Sequence, residues 1–145
     1  SGPDKEKGLS LVHGCKNFVS LERVPPKEVP YYVGLCDILL NPWLDRPIYR
    51  YGVSPNKWID YMRAAKPFIV GLKIEDPILI DADCAFIISS ENSEELADKI
   101  DYVSRMEKGQ LASRGFKGRQ YLQDKMSYEF HADTLYRLIK SQTFT

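Results

Sequence analysis

Apolar positions along the chain follow two periods. Spacings of three and four put Leu9 and Val12 on one side of a helix predicted over 3–12, with Asp4 to Lys7 in water. Residues 17–21, Asn-Phe-Val-Ser-Leu, are rich in β-formers and predict a strand, punctuated by Pro25-Pro26. A helix is predicted over 27–36, with Val29, Tyr32, Val33 and Cys36 on one face. Pro30 falls in its first turn, where a missing N–H is tolerated. Asp37-Ile38-Leu39-Leu40 reads as a short buried parallel strand ended by Asn41-Pro42. A polar and aromatic loop over 43–53 leads to Ser54-Pro55, which has the form of a helix start: Ser as N-cap, Pro at the first helical position. That helix is expected to reach about Ala65. Buried strands are predicted over 67–71 and 84–88, with a short further piece at 78–80. Helices over 90–105, 110–125 and 128–141 complete the chain, the first opening with Ser93 before Glu94 and turning Leu96, Ile100 and Val103 inward.

Strands alternating with helices at short spacing define an α/β class with a parallel sheet and right-handed crossovers. About four strands are few for a doubly wound domain, and the chain opens in a helix. The expectation is a Rossmann-like sheet with flanking helices that lacks its first strand or strands. Residues 1–127 form this partial domain and 128–145 a terminal helix with an apolar stripe that needs covering.

Composition bounds the chemistry. The 145 residues are enough for one core, and 43% are hydrophobic. Twenty basic against 20 acidic residues argue against a general nucleic-acid binder. The balance is local, however. Over 45–66, Arg46, Arg50, Lys57, Arg63 and Lys66 face only Asp45 and Asp60, whereas over 75–101 nine acids meet only Lys99. The acidic run lacks the spacing of a calcium loop and reads as a solvated face. Cys15, Cys36 and Cys84 are odd in number and form no C-x-x-C pair, which suits reduced thiols in the cytosol. His13 and His131 stand alone, so a metal site is not expected. No apolar run nears the roughly 20 residues of a membrane span. The start shows no signal peptide and no initiator Met, which predicts a cut or processed chain.

The informative stretch runs from Tyr49 to Pro67. It follows a strand and loop and opens a helix, and in such sheets ligands bind beyond the carboxyl ends of the strands. The first N–H groups of a helix lack internal partners and carry about half a positive charge, which favours an anion. Pro55 gives up one N–H and leaves those of Asn56 and Lys57, while the Lys57 and Arg50 side chains add positive charge nearby. Asp60 lies four residues after Asn56 on the same helix face, placed to accept hydrogen bonds from two vicinal hydroxyls. A nucleotide or phosphosugar site is one reading of this pattern; a capped helix with solvated charges is the other. Tyr49, Tyr51, Trp43 and Trp58 fit stacking on a sugar or base, or core packing in the case of Trp58.

The run Gly52-Val53-Ser54-Pro55-Asn56-Lys57-Trp58-Ile59-Asp60-Tyr61-Met62-Arg63-Ala64-Ala65-Lys66-Pro67 resembles the donor-site motif of retaining GT-B glycosyltransferases (glycosyl transferases group 1), in the branch of bacterial surface-polysaccharide synthesis. Asn17 to Tyr32, Cys36 to Pro42, Ser93 to Ala97 and Gly2 to Lys5 are similar to further segments of that family. The resemblance implies the C-terminal half of a GT-B architecture, binding a nucleotide diphosphate sugar as substrate with no metal or other cofactor. Donor binding would fall to Gly52, Val53, Ser54, Asn56 and Lys57 around the diphosphate, Arg50 beside it, and Asp60 on the ribose.

The resemblance also implies an N-terminal domain of the same enzyme as partner, onto which the terminal helix packs, and a cytoplasmic location. It is compatible with peripheral association of the full enzyme at the inner face of the membrane, since acceptors in such pathways are often lipid-linked. Two positions depart from the motif: Gly52 stands where many relatives carry a Glu beside the transferred sugar, and Ala65 where Gly is usual. The Arg and Lys that neutralise the leaving diphosphate in relatives precede this chain. No catalytic residue is therefore assigned, and the isolated chain is expected to be inactive in transfer. A non-catalytic α/β nucleotide- or phosphosugar-binding module is the alternative, favoured by Gly52.

Overall fold

The computed structural model describes residues 4–53, 56–73 and 76–142. Pro3, Ser54 and Pro55, on which the expected starts of two helices rested, lie outside the described residues. Among those described, three strands form one sheet: β1 (Leu39–Pro42), β2 (Phe68–Gly71) and β3 (Ala85–Ile88), all parallel, in the order β1-β2-β3. The register pairs Leu39 with Phe68 and Phe68 with Ala85, and ends on Pro42, Gly71 and Ile88. Seven α-helices join or flank them: α1 (Lys5–Leu11), α2 (Val29–Leu35), α3 (Asn56–Arg63), α4 (Pro77–Ala82), α5 (Ser93–Ser104), α6 (Lys108–Lys125) and α7 (Tyr128–Gln142). The class is α/β, and the sheet is a Rossmann-like half domain.

β2 is buried along its whole length, and its alternating side chains feed two cores. Phe68 and Val70 meet Trp58, Met62, Leu79, Ala82 and Cys84 under α3, α4 and α6. Ile69 turns the other way, to Phe86, Ile88 and Val103 against α5. Period two in the strand therefore produces the layering of helices on both faces. α6 lies close because two glycines face the core. A Cβ on Gly118 would fall 2.8 Å from Cys84 Cβ, and one on Gly115 would run into the Ala65 carbonyl. Arg119 fastens the same crossing by donating to the Arg63 carbonyl at 2.8 and 3.0 Å.

Several expectations change. Residues 17–21 are not a strand: the chain is irregular there, with Val19 77% exposed, because β-propensity yields a strand only where the segment docks on a sheet edge, and this one pairs with none of the described strands. The segment around 78–80 is the helix α4, not a strand. Asp76 accepts from the Ile78 N–H at 2.9 Å and Pro77 takes the first helical position, so cap chemistry overrides the Ile-Leu-Ile run. The sheet thus has three strands rather than about four. β1 begins two residues later than expected and includes Asn41-Pro42. The Leu39 and Trp43 N–H groups donate to the Pro67 and Gly71 carbonyls of the β2 side, so the Pro42 nitrogen faces the outer edge, where no ladder bond is lost.

Helix α3 stops at Arg63, and Ala65 takes a left-handed φ of 53°, the conformation that favours the Gly of the resembled motif. α5 is capped by Asn92, which accepts from Glu95 N–H at 3.0 Å, so Ser93 is its first helical residue. The acidic run is not a plain solvated face: Asp76 is 5% exposed as a cap, and Asp83 pairs with Arg114 and Lys117. α7 touches α6, and its Tyr128, Leu135 and Leu138 are exposed. Among the described residues, no helix is long and apolar enough to cross a membrane.

Candidate functional site

The carboxyl end of β1 opens into a cleft of about 450 Å³ between the following loop and the start of α3. Asn41, Trp43, Leu44 and Tyr49 form one side; Asn56 and Lys57 form the other. Local structure builds it. A 3-10 turn over Pro47–Tyr51 folds the loop back, Gly52 reverses it with a φ of 106°, and α3 then starts at the cleft. The first N–H groups of α3 point toward this end, as in any α-helix. The Lys57 side chain is exposed beside them.

Asn41 organises the wall. Its Oδ1 accepts from Trp43 Nε1 and Trp58 Nε1, each at 2.8 Å. Trp58 is rooted in the core at 1% exposure, so a buried carboxamide ties the loop to α3 through two indoles. Tyr49 packs edge-on against Trp43, with ring centroids 4.7 Å apart. Nothing in the linear pattern marks Asn41, which by sequence alone reads as a strand terminator. The only signal was an Asn directly after an apolar run and close to Trp43. The loop is also tied to the other carboxyl-end loops: Asp45 pairs with Lys73 at 2.7 Å, and its N–H donates to Glu91 at 3.0 Å. The carboxylate hydrogen bond holds the Lys73 ammonium pKa above its usual value.

The expected site residues separate into groups. Asn56 and Lys57 share the cleft. Val53 packs half-buried against the core and does not line the cleft. Gly52 is exposed, with open space around its α-carbon but a backbone that an L side chain rarely adopts. Ser54 lies outside the described residues. Arg50 does not line the cleft; its Nη2 donates to Tyr51 Oη at 2.7 Å and its guanidinium stands 4.8 Å from that ring's centre.

Asp60 faces a separate groove of about 340 Å³ between α2 and α3, where Pro26, Val29 and Val33 make an apolar wall. Arg63 stands 3.6 Å from its carboxylate, and Arg119 lines the same groove. Anion end and carboxylate are therefore one turn apart on α3, about 6 Å along its axis, but open to different depressions. Elsewhere, a depression of about 500 Å³ along α5 is edged by Asp98, Asp101 and Arg105, the last two paired with each other at 2.7 Å. Among the described residues, no group of three or more His, Cys, Asp or Glu is placed to hold a metal ion.

Comparison with family models, curated proteins and solved structures finds no match to this chain.

Proposed function

We propose that this chain is the donor-binding part of a glycosyltransferase that moves a sugar from a nucleotide diphosphate sugar to an acceptor hydroxyl, in surface polysaccharide or glycoconjugate synthesis. The observation that carries the reading is the start of α3, with Asn56 and Lys57, opening at the carboxyl end of a parallel strand. That is where an open α/β sheet receives ligands and where a helix favours an anion. The diphosphate sits over this end. The nucleoside runs along α3 toward Asp60, whose carboxylate accepts from the ribose hydroxyls, with its base against the apolar wall of Pro26, Val29 and Val33. The sugar lies on the opposite side, toward Trp43 and Tyr49. As the glycosidic C–O bond breaks, helix N–H groups and Lys57 hold the charge gathering on the departing diphosphate. The acceptor oxygen forms the new bond to the sugar carbon, and its proton passes to the departing diphosphate, so bonds and charge balance.

A second reading, a nucleotide-binding module without transfer, is favoured by Gly52. Its φ of 106° marks a loop built for glycine, and a Glu at this position would be strained whatever the space around it. The two readings share the donor site. Titration of the chain with pyrophosphate and with UDP, GDP and dTDP tests that site. Lys57→Ala should weaken every anion, and Asp60→Ala should weaken the nucleotides relative to pyrophosphate. Binding unchanged by both substitutions removes the assignment.

A further inference from the structure

The carboxamide of Asn41 is held in one orientation. Its Oδ1 takes two indole N–H donors, from Trp43 and Trp58, at 2.8 Å each. Neither indole nitrogen can accept, so the oxygen must be the atom between them and the amide nitrogen the atom turned away. The residue is 8% exposed, and no acceptor among the described residues meets that nitrogen. Asn41 nevertheless lines the cleft that Trp43, Tyr49, Asn56 and Lys57 surround. A solvent-reaching N–H donor of fixed direction on an otherwise buried residue, beside two crossed aromatic rings and across from an anion-favouring helix start, is a recognition surface. The rings offer flat apolar area to C–H groups, and the amide supplies a donor at their edge. A pyranose has both an apolar face and hydroxyl acceptors.

Building on the donor-site reading above, we infer that Asn41 is a specificity-determining residue: its side-chain N–H donates to a hydroxyl or ring oxygen of the sugar carried on the diphosphate, with that sugar lying against Trp43 and Tyr49. The role belongs to the sugar and not to the nucleotide. It is therefore read as the ratio of two affinities, for the sugar nucleotide and for its parent nucleotide.

Asn41→Asp keeps an oxygen for both indoles and replaces the donor, so the two indole hydrogen bonds that shape the wall are kept while the group opposite them changes. Calorimetric titrations of the chain would use UDP-glucose, GDP-mannose and dTDP-glucose, each against UDP, GDP or dTDP, with pyrophosphate alongside. The expected result is a sugar nucleotide that binds about five- to tenfold tighter than its parent, the yield of one good hydrogen bond plus ring contact. In Asn41→Asp that ratio should fall to about 1. Repulsion from the new charge weighs more on the parent diphosphate, whose terminal phosphate carries an extra negative charge near pH 7, so a fall in the ratio runs against that repulsion and reports the lost donor. Trp43→Phe, which removes one of the two clamping donors and keeps a ring, should lower the ratio by about half and serves where Asn41→Asp does not fold. A ratio near 1 in the unaltered chain, or one unchanged in both variants, overturns the inference while pyrophosphate binding still stands. Absence of pyrophosphate binding overturns the donor-site reading and this inference with it.

Discussion

Placing a methyl group on Gly115 probes the packing that holds the site together. Gly115 lies on α6 against the turn that ends α3, and a Cβ there would sit 2.6 Å from the Ala65 carbonyl carbon and closer still to its oxygen. Packed carbon atoms stay about 3.5 to 4.0 Å apart, so α6 must back away by about 1 Å. Overpacking of this kind costs roughly 1–3 kcal/mol. The upper end applies because the obstacle is main chain, which has no alternative rotamer. Replacing a helical Gly by Ala returns about 1 kcal/mol in propensity, leaving a net loss of about 2 kcal/mol for Gly115→Ala.

Gly109, in the first turn of the same helix, has nothing within 4 Å of its Cβ position. The identical change there should be stabilising, by up to about 1 kcal/mol. Thermal and urea unfolding followed by circular dichroism would measure both. For a chain of this size a 2 kcal/mol loss lowers Tm by about 4–8 °C. Opposite signs at the two glycines are expected. Equal stabilisation by both would show that α6 does not lie on the Ala65 turn, and would refute the packing described above.

Two further outcomes follow from the charges and thiols. Asp83 has its carboxyl pKa held below the usual value by hydrogen bonding from Lys117, with Arg114 adjacent. Its contribution is therefore present above the ordinary carboxylate pKa and fades as pH falls through the folded-state value. Asp83→Asn keeps a residue that tolerates the left-handed φ of 43° and should lose less than about 1 kcal/mol at pH 7, since the pair is half exposed. The gap to the unaltered chain should close below about pH 4 in a pH series of urea melts. Burial pushes the Cys84 thiol up to about 11, whereas Cys15 is exposed. At pH 8 a maleimide should label Cys15 readily and Cys84 only in denaturant; mass mapping that finds Cys84 labelled early would contradict the core assignment.

The α/β class and most helices were legible because their signals are local and repeated. Leu96 and Val103 fall on one face of α5, and Phe68 to Gly71 is an unbroken apolar run between turns. What escaped the pattern depends on partners distant in sequence. Residues 17–21 have strand composition but do not pair with the open edge of β1, whereas Pro42 sits in a strand because β1 is an edge. At 78–80 two short-range signals competed, and Asp76-Pro77 outweighed the apolar run. For the site, the start of α3 and Lys57 could be placed from spacing alone. Asn41 could not, because its role exists only once Trp43 and Trp58 converge on its side-chain oxygen. Nor does spacing tell that Asp60 opens toward α2 while Asn56 opens toward Tyr49.

The measurement closest to the central claim is calorimetric titration of the chain with pyrophosphate and the three nucleoside diphosphates, repeated for Lys57→Ala and Asp60→Ala. The account predicts that Lys57→Ala weakens all four ligands by about tenfold, the worth of one charge-assisted contact. Asp60→Ala should weaken only the nucleotides, measured against pyrophosphate. No binding by the unaltered chain, or equal binding by all three proteins, would contradict a donor site at the start of α3.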